Sequence, residues 1–127
     1  MLSKSHRFHG YGSLRFAYQH GRTVRSPLLS LRYAERPGRA TWRCAVVVAK
    51  KVSRSAVTRN RIRRRLYEAV RSQASGLDKP VDIVITVFSE QLATSSPEQL
   101  QKTMSDLLSE AGLITAATHA IIEPKES

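Results

Sequence analysis

Cysteine is almost missing from this chain: Cys44 stands alone among 127 residues. An internal disulfide is thereby excluded, and a reducing, cytoplasmic setting is expected. Aromatic residues make up only 6%, which leaves the core to aliphatic side chains. No apolar run approaches the roughly 18 residues that span a bilayer. The opening segment, with His6, Arg7 and His9, lacks the apolar centre of a secretory signal, so no membrane association is expected. His6, His9, His20 and His119 show no zinc-like spacing and have no cysteine nearby, so no metal site is expected on the protein.

The most unevenly distributed absence is negative charge. Met1 to Arg71 carries 18 Lys and Arg against Glu35 and Glu68, a net of +16, whereas Ser72 to Ser127 carries three Lys against eight acids, a net of −5. The overall +11 hides two opposed halves. Charge spread over every face serves solubility, but charge gathered in one stretch is suited to meeting a polyanion, and nucleic acid is the leading candidate. A membrane surface fits less well, because the basic segment has few bulky aromatic anchors. A protein nuclease needs clustered carboxylates for metal ions, or a His poised to activate water. Eight of the ten acids lie beyond Ser72, away from the basic segment, so no catalytic residue is expected on this chain.

The length suits one domain, expected over 1–112, with a tail over 113–127 that frays at its end. Leu14, Phe16, Ala17 and Tyr18 predict a short helix over Ser13–His20, stopped by Gly21. Val24–Tyr33 reads as extended chain, with Leu29, Leu31 and Tyr33 on one face and Leu28, Ser30 and Arg32 on the other; Pro27 marks an edge or bulge. Pro37 and Gly38 mark a turn within Glu35–Ala40. Trp42–Ala49 and Asp82–Phe88 are strands by their apolar and β-branched content. Between them, Ser53 or Ser55 caps a helix running to about Ser75. A crossover helix requires the two strands to lie parallel. Ser96 and Pro97 open a last helix, in which Leu100, Met104, Leu107, Leu108 and Ala111 recur at helical spacing up to Gly112. This order predicts an α+β fold, a two-layer α/β sandwich with helices on one side of a mixed sheet.

Lys50 to Arg71 holds nine basic residues and a single acid, Glu68. Wound at about 100° per residue, Ile62, Leu66, Ala69, Val70 and Gln73 form one stripe, so the helix docks on the core. That phase turns Asn60, Arg64, Tyr67 and Arg71 away from the core, with Arg61 and Arg65 on one flank and Arg63 on the other. A solvated face ordinarily mixes signs so that i,i+4 pairs offset one another. Here Arg61, Arg64 and Arg65 repel each other until something anionic lies against them. Arginine forks phosphate and stacks on bases, which favours RNA or DNA. A DNA module is disfavoured, since no helix-turn-helix or dimer signal defines a groove geometry.

Lys50-Lys51, followed after seven residues by Arg59-Asn60-Arg61-Ile62-Arg63-Arg64 and then by Glu68-Ala69 and Arg71, resembles the signature of the ribonuclease P protein subunit family. The resemblance extends over Leu2…His6-Arg7-Phe8, the helix ending at His20-Gly21, Val24-Arg25-Ser26-Pro27-Leu28, the strand before Lys50, and the Asp82 strand with its following helix. It implies a sandwich like domain 2 of ribosomal protein S5, with a left-handed crossover where general rules give a right-handed one. It also implies the protein subunit of an endoribonuclease whose catalytic RNA partner removes the 5′ leader of precursor tRNA, using Mg²⁺ held mainly by RNA and substrate. Lys50, Lys51, Arg59, Asn60, Arg61, Arg63 and Arg64 are the implied RNA contacts, and the charge of the same segment adds Arg54, Arg65 and Arg71.

A cleft between the first helix and the sheet is implied to hold the single-stranded leader, with Leu14, Phe16, Tyr18, Arg32 and Tyr33 as its candidates. Two departures touch it. The family's paired helix aromatics correspond to Leu14 and Tyr18, and the place of a strand aromatic is taken by Arg32, followed by Tyr33. Arginine also stacks on bases and binds phosphate. No obligate protein partner is evident. The alternative is a structural RNA-binding protein of ribosomal type without a role in cleavage.

Overall fold

The run Val81-Asp82-Ile83-Val84-Ile85 is buried at every position, as a central strand covered on both faces must be. The computed structural model describes residues 11–38, 41–77 and 79–114. Its elements are α1 (Tyr11–His20), β1 (Arg22–Arg25), β2 (Leu29–Glu35), β3 (Arg43–Val47), α2 (Ala56–Ser72), β4 (Val81–Val87) and α3 (Pro97–Glu110). The four strands form one mixed sheet in the order β1-β2-β4-β3. β4 runs antiparallel to β2 and parallel to β3, with Val47 opposite Thr86.

The stretch expected as one extended segment is two strands. Pro27 has no N–H to give a ladder, and Ser26 closes the turn by donating its backbone N–H to the Leu29 carbonyl at 2.9 Å, so β1 folds back on β2. Leu28, expected opposite Leu29, instead packs against the same core cluster. Gly21 at the end of α1 is required by crowding. A Cβ there would press on the Ala17 carbonyl and lie 2.8 Å from the Tyr33 carbonyl.

Side-chain alternation sorts the sheet into two faces. Leu29, Leu31, Cys44, Val46, Ile83 and Ile85 join Ile62, Leu66, Met104 and Leu108 in the main core, beneath α2 and α3. Burial pushes the Cys44 thiol up out of its ordinary range, so it is an inert core residue. The opposite face presents Ala45 and Val84, on which Ala17 and Leu14 of α1 pack. The expected arrangement of helices on one side therefore holds for α2 and α3 but not for α1. Small residues at 45 and 84 let a third helix approach the other face. The main core includes Leu113 and Ile114, two residues past the expected boundary at 112; Gly112, at φ 75°, turns the chain so that they pack back. The remainder of the expected tail lies outside the described residues.

The crossover hand follows from one hydrogen bond. Phe88 donates its N–H to the Leu28 carbonyl at 2.8 Å, so even-numbered residues of β4 direct their main-chain groups to β2 and odd-numbered ones to β3. The odd-numbered residues also point their side chains at α2. For L-residues this puts β3 on the right of β4, seen from α2 with both strands running up. The step from β3 over α2 to β4 therefore goes left, against the general rule. It places the start of α2 at the carboxyl ends of β3 and β4, where the basic segment begins.

Candidate nucleic-acid interface

α2 starts where Ser55, in extended conformation, accepts a hydrogen bond from the Thr58 N–H at 3.1 Å, satisfying one orphan donor of the first turn. Ser53, the other candidate cap, is buried and accepts from the Ser55 N–H at 3.3 Å, fixing the turn before the helix. Ile62, Leu66, Ala69 and Val70 are its buried residues, in the phase that the sequence predicts. Lys50, Lys51 and Arg54 are exposed, and with the half-buried Arg59 they line one open hollow. Arg59 is steadied from within, since its guanidinium donates to the Ser53 carbonyl at 2.9 Å. Arg63 donates to the Asn60 side chain. Arg61 and Arg64 are exposed.

Tyr67, expected to point away from the core, and two members of the expected RNA set, Arg65 and Arg71, make other contacts. Tyr67 is half-buried against the core, and its hydroxyl accepts from the Val46 N–H at 3.2 Å, because an amphipathic ring suits the margin of the stripe. Arg65 reaches across to the 3₁₀ turn Glu90–Ala93, donating to the Leu92 carbonyl at 2.7 Å and to the Ser95 carbonyl. These hydrogen bonds tie α2 to the β4–α3 connection. Arg71 pairs with Glu68, donating through Nε at 3.0 Å, and that hydrogen bond holds the Glu68 carboxyl down at about 2.

Glu68 is therefore ionised wherever RNA is handled, and it opposes the basic face. Its pairing contributes above the carboxylate's ordinary range and is lost only as pH falls toward about 2. Glu68→Gln should raise affinity for an RNA partner by about 2- to 5-fold at low salt, since exposed pairs exchange readily for phosphate. Filter binding at 50 mM salt would check this, and weaker binding would show that Glu68 faces elsewhere.

The proposed cleft residues are divided by α1. Ala17 faces the sheet, Leu14 and Tyr18 share one flank, and Phe16 and His20 share the other. Phe16 and His20 stack with ring centroids 4.7 Å apart, and the Arg36 guanidinium sits 4.1 Å from the Phe16 centroid. Phe16 is thus turned away from the Leu14–Tyr18 flank, because an offset of two residues crosses the helix. Arg32 spends its donors on α1, giving hydrogen bonds to the Ala17 carbonyl at 2.8 Å, the Tyr18 carbonyl at 2.6 Å and the Thr23 hydroxyl at 2.7 Å. It satisfies the orphan carbonyls of the helix end and places its charge at the negative end of the dipole. Tyr33 packs against the main core on the far face of the sheet. Leu14 and Tyr18 alone remain beside the open part of the α1 face.

Asp82, taken from sequence as a polar strand end, is buried and bridged by Arg36 at 2.9 Å and Arg43 at 3.2 Å. This cluster stands at the opposite end of the sheet from Lys50. No sequence signal marks it, because its partners lie 46 and 39 residues away.

A family model described as Ribonuclease P matches residues 2–112. A ribonuclease P protein component of Chloroflexus aurantiacus is 36% identical over 123 residues, covering 97% of this chain and 90% of the relative. One from Synechococcus sp. is 32% identical, covering 89% of this chain and 97% of the relative. Among solved structures, the RNase P protein of Staphylococcus aureus superposes with a TM-score of 0.77 at 20% identity, over 88% of this chain and all of that one. That of Thermotoga maritima gives 0.68 at 20% identity, over 76% of this chain and 89% of that one.

Proposed function

Because the chain belongs to the ribonuclease P protein family, a family of tRNA-processing ribonucleoproteins, we propose that it binds the catalytic RNA through the exposed face of α2 and its preceding turn. The observation that carries this reading is the row Lys50, Lys51, Arg54, Arg59, Arg61, Arg63 and Arg64, gathered at one end of the sheet with Glu68 as the acid of the same segment. Such a row repels itself in the free protein and is relieved by phosphate. The single-stranded 5′ leader of precursor tRNA lies along the neighbouring α1 face of the sheet, beside Leu14 and Tyr18.

Mg²⁺ chemistry belongs to the RNA partner and substrate in this reading. Among the described residues, the carboxylates do not gather into a metal site on the RNA face. Asp82 is buried under two arginines, Glu68 is tied to Arg71, and Glu98, Asp106 and Glu110 lie on α3. Replacing Glu98, Asp106 and Glu110 together by their amides should leave holoenzyme turnover within about twofold of wild type, as surface changes away from a site usually do. Loss of turnover at saturating protein, with circular dichroism unchanged, would place protein carboxylates in the chemistry.

The test of the whole reading is to mix the protein with a bacterial ribonuclease P RNA and precursor tRNA at low Mg²⁺. Stimulated release of the 5′ leader is expected. Binding to RNA without stimulation would favour a structural RNA-binding protein.

A further inference from the structure

We infer that Phe88 is a stacking platform for a base of single-stranded RNA, set where the basic segment meets the open α1 face of the sheet. The inference rests on the leader-binding reading above and adds to it a residue on which that reading does not depend.

Phe88 follows the last residue of β4, and its N–H to the Leu28 carbonyl carries the β2 ladder one step past the Leu29–Val87 pair. Strand alternation therefore continues through it. Val81, Ile83, Ile85 and Val87 face α2, so Phe88 falls with Val84 and Thr86 on the α1 side. Phe88 is 47% exposed, although burying a phenyl group would stabilise the fold. It belongs to neither core cluster.

The parallel register, with Val47 opposite Thr86, sets Phe88 level with Ala49. Neighbouring strands lie about 4.8 Å apart, so this register sets Phe88 on the strand beside the residue that precedes Lys50 and Lys51. Across the same face, Tyr18 on α1 is 48% exposed. Exposed aromatic rings beside a row of cations are what a single strand requires, the rings for bases and the cations for phosphates. An apolar protein segment would leave those cations without a partner.

The test uses the reconstituted holoenzyme. Dissociation constants are measured for precursor tRNA with a long leader and for the same tRNA with a one-nucleotide leader, in wild type, Phe88→Ala, Phe88→Leu and Phe88→Tyr. The expected result is that Phe88→Ala and Phe88→Leu reduce the wild-type preference for the long leader by at least about fivefold, the lower bound for one stacked base. Phe88→Tyr should retain that preference, and melting temperature and affinity for the catalytic RNA should not change. If wild type prefers the long leader and Phe88→Leu does so equally, the ring faces no base and the inference falls, leaving the leader reading intact. If wild type shows no preference at all, the leader reading itself fails, and this inference with it.

Discussion

Ile62→Ala should lower the stability of the fold by about 2–5 kcal/mol, the cost of a cavity in a close-packed core, while the folded fraction still binds RNA. Ile62 has no exposed surface and belongs to the main cluster between α2 and the sheet. Its neighbours give the opposite result. Arg61→Ala and Arg64→Ala remove exposed charges that the core does not use, so melting temperature should hold or rise as like-charge repulsion is relieved. RNA affinity should fall by about 1–3 kcal/mol for each, the range of a lost charge-assisted hydrogen bond. Thermal melts and RNA binding on these three variants separate the two faces of α2. Unfolding by Arg64→Ala, or loss of binding without loss of stability by Ile62→Ala, would mean that the RNA face has been placed on the wrong side of the helix.

That contrast was legible in the sequence because helical phase is a local property. Ile62, Leu66, Ala69 and Val70 repeat at the helical period, and the structure buries those same residues. The parallel pairing of β3 with β4 followed from strands separated by a crossover helix, whereas the strand order β1-β2-β4-β3 did not. Composition and period did not reach the crossover hand, which came from the family resemblance and is recovered here from the Phe88–Leu28 hydrogen bond.

The site was less legible wherever an arginine chooses between solvent and a distant carbonyl. Arg64 and Arg65 are adjacent and alike in sequence, yet Arg65 donates to Leu92, 27 residues away, and to Ser95. Arg32 was expected to stack on a base and instead caps α1 from 15 residues away. Nothing local distinguishes these arginines from their neighbours, since the acceptors are main-chain atoms of no particular residue type. Phe16 lies on the other flank of α1 from Tyr18 for a different reason. Counting aromatics on α1 treats its flanks as one surface, whereas the helix turns Phe16 toward Arg36 and Tyr18 away from it.

The central claim, that phosphate meets the exposed cations of Lys50 to Arg64, is tested most directly by the salt dependence of affinity for the catalytic RNA. Seven cationic side chains lie along the turn and α2, of which Lys50, Lys51, Arg54, Arg61 and Arg64 are exposed and Arg59 and Arg63 half-buried. If about six of them displace counterions, affinity should fall about 10³-fold between 50 and 200 mM salt. The logarithmic slope should become shallower by about one for each of Arg61→Ala and Arg64→Ala. Affinity that stays level across this range, or a slope unchanged by both substitutions, would contradict the account.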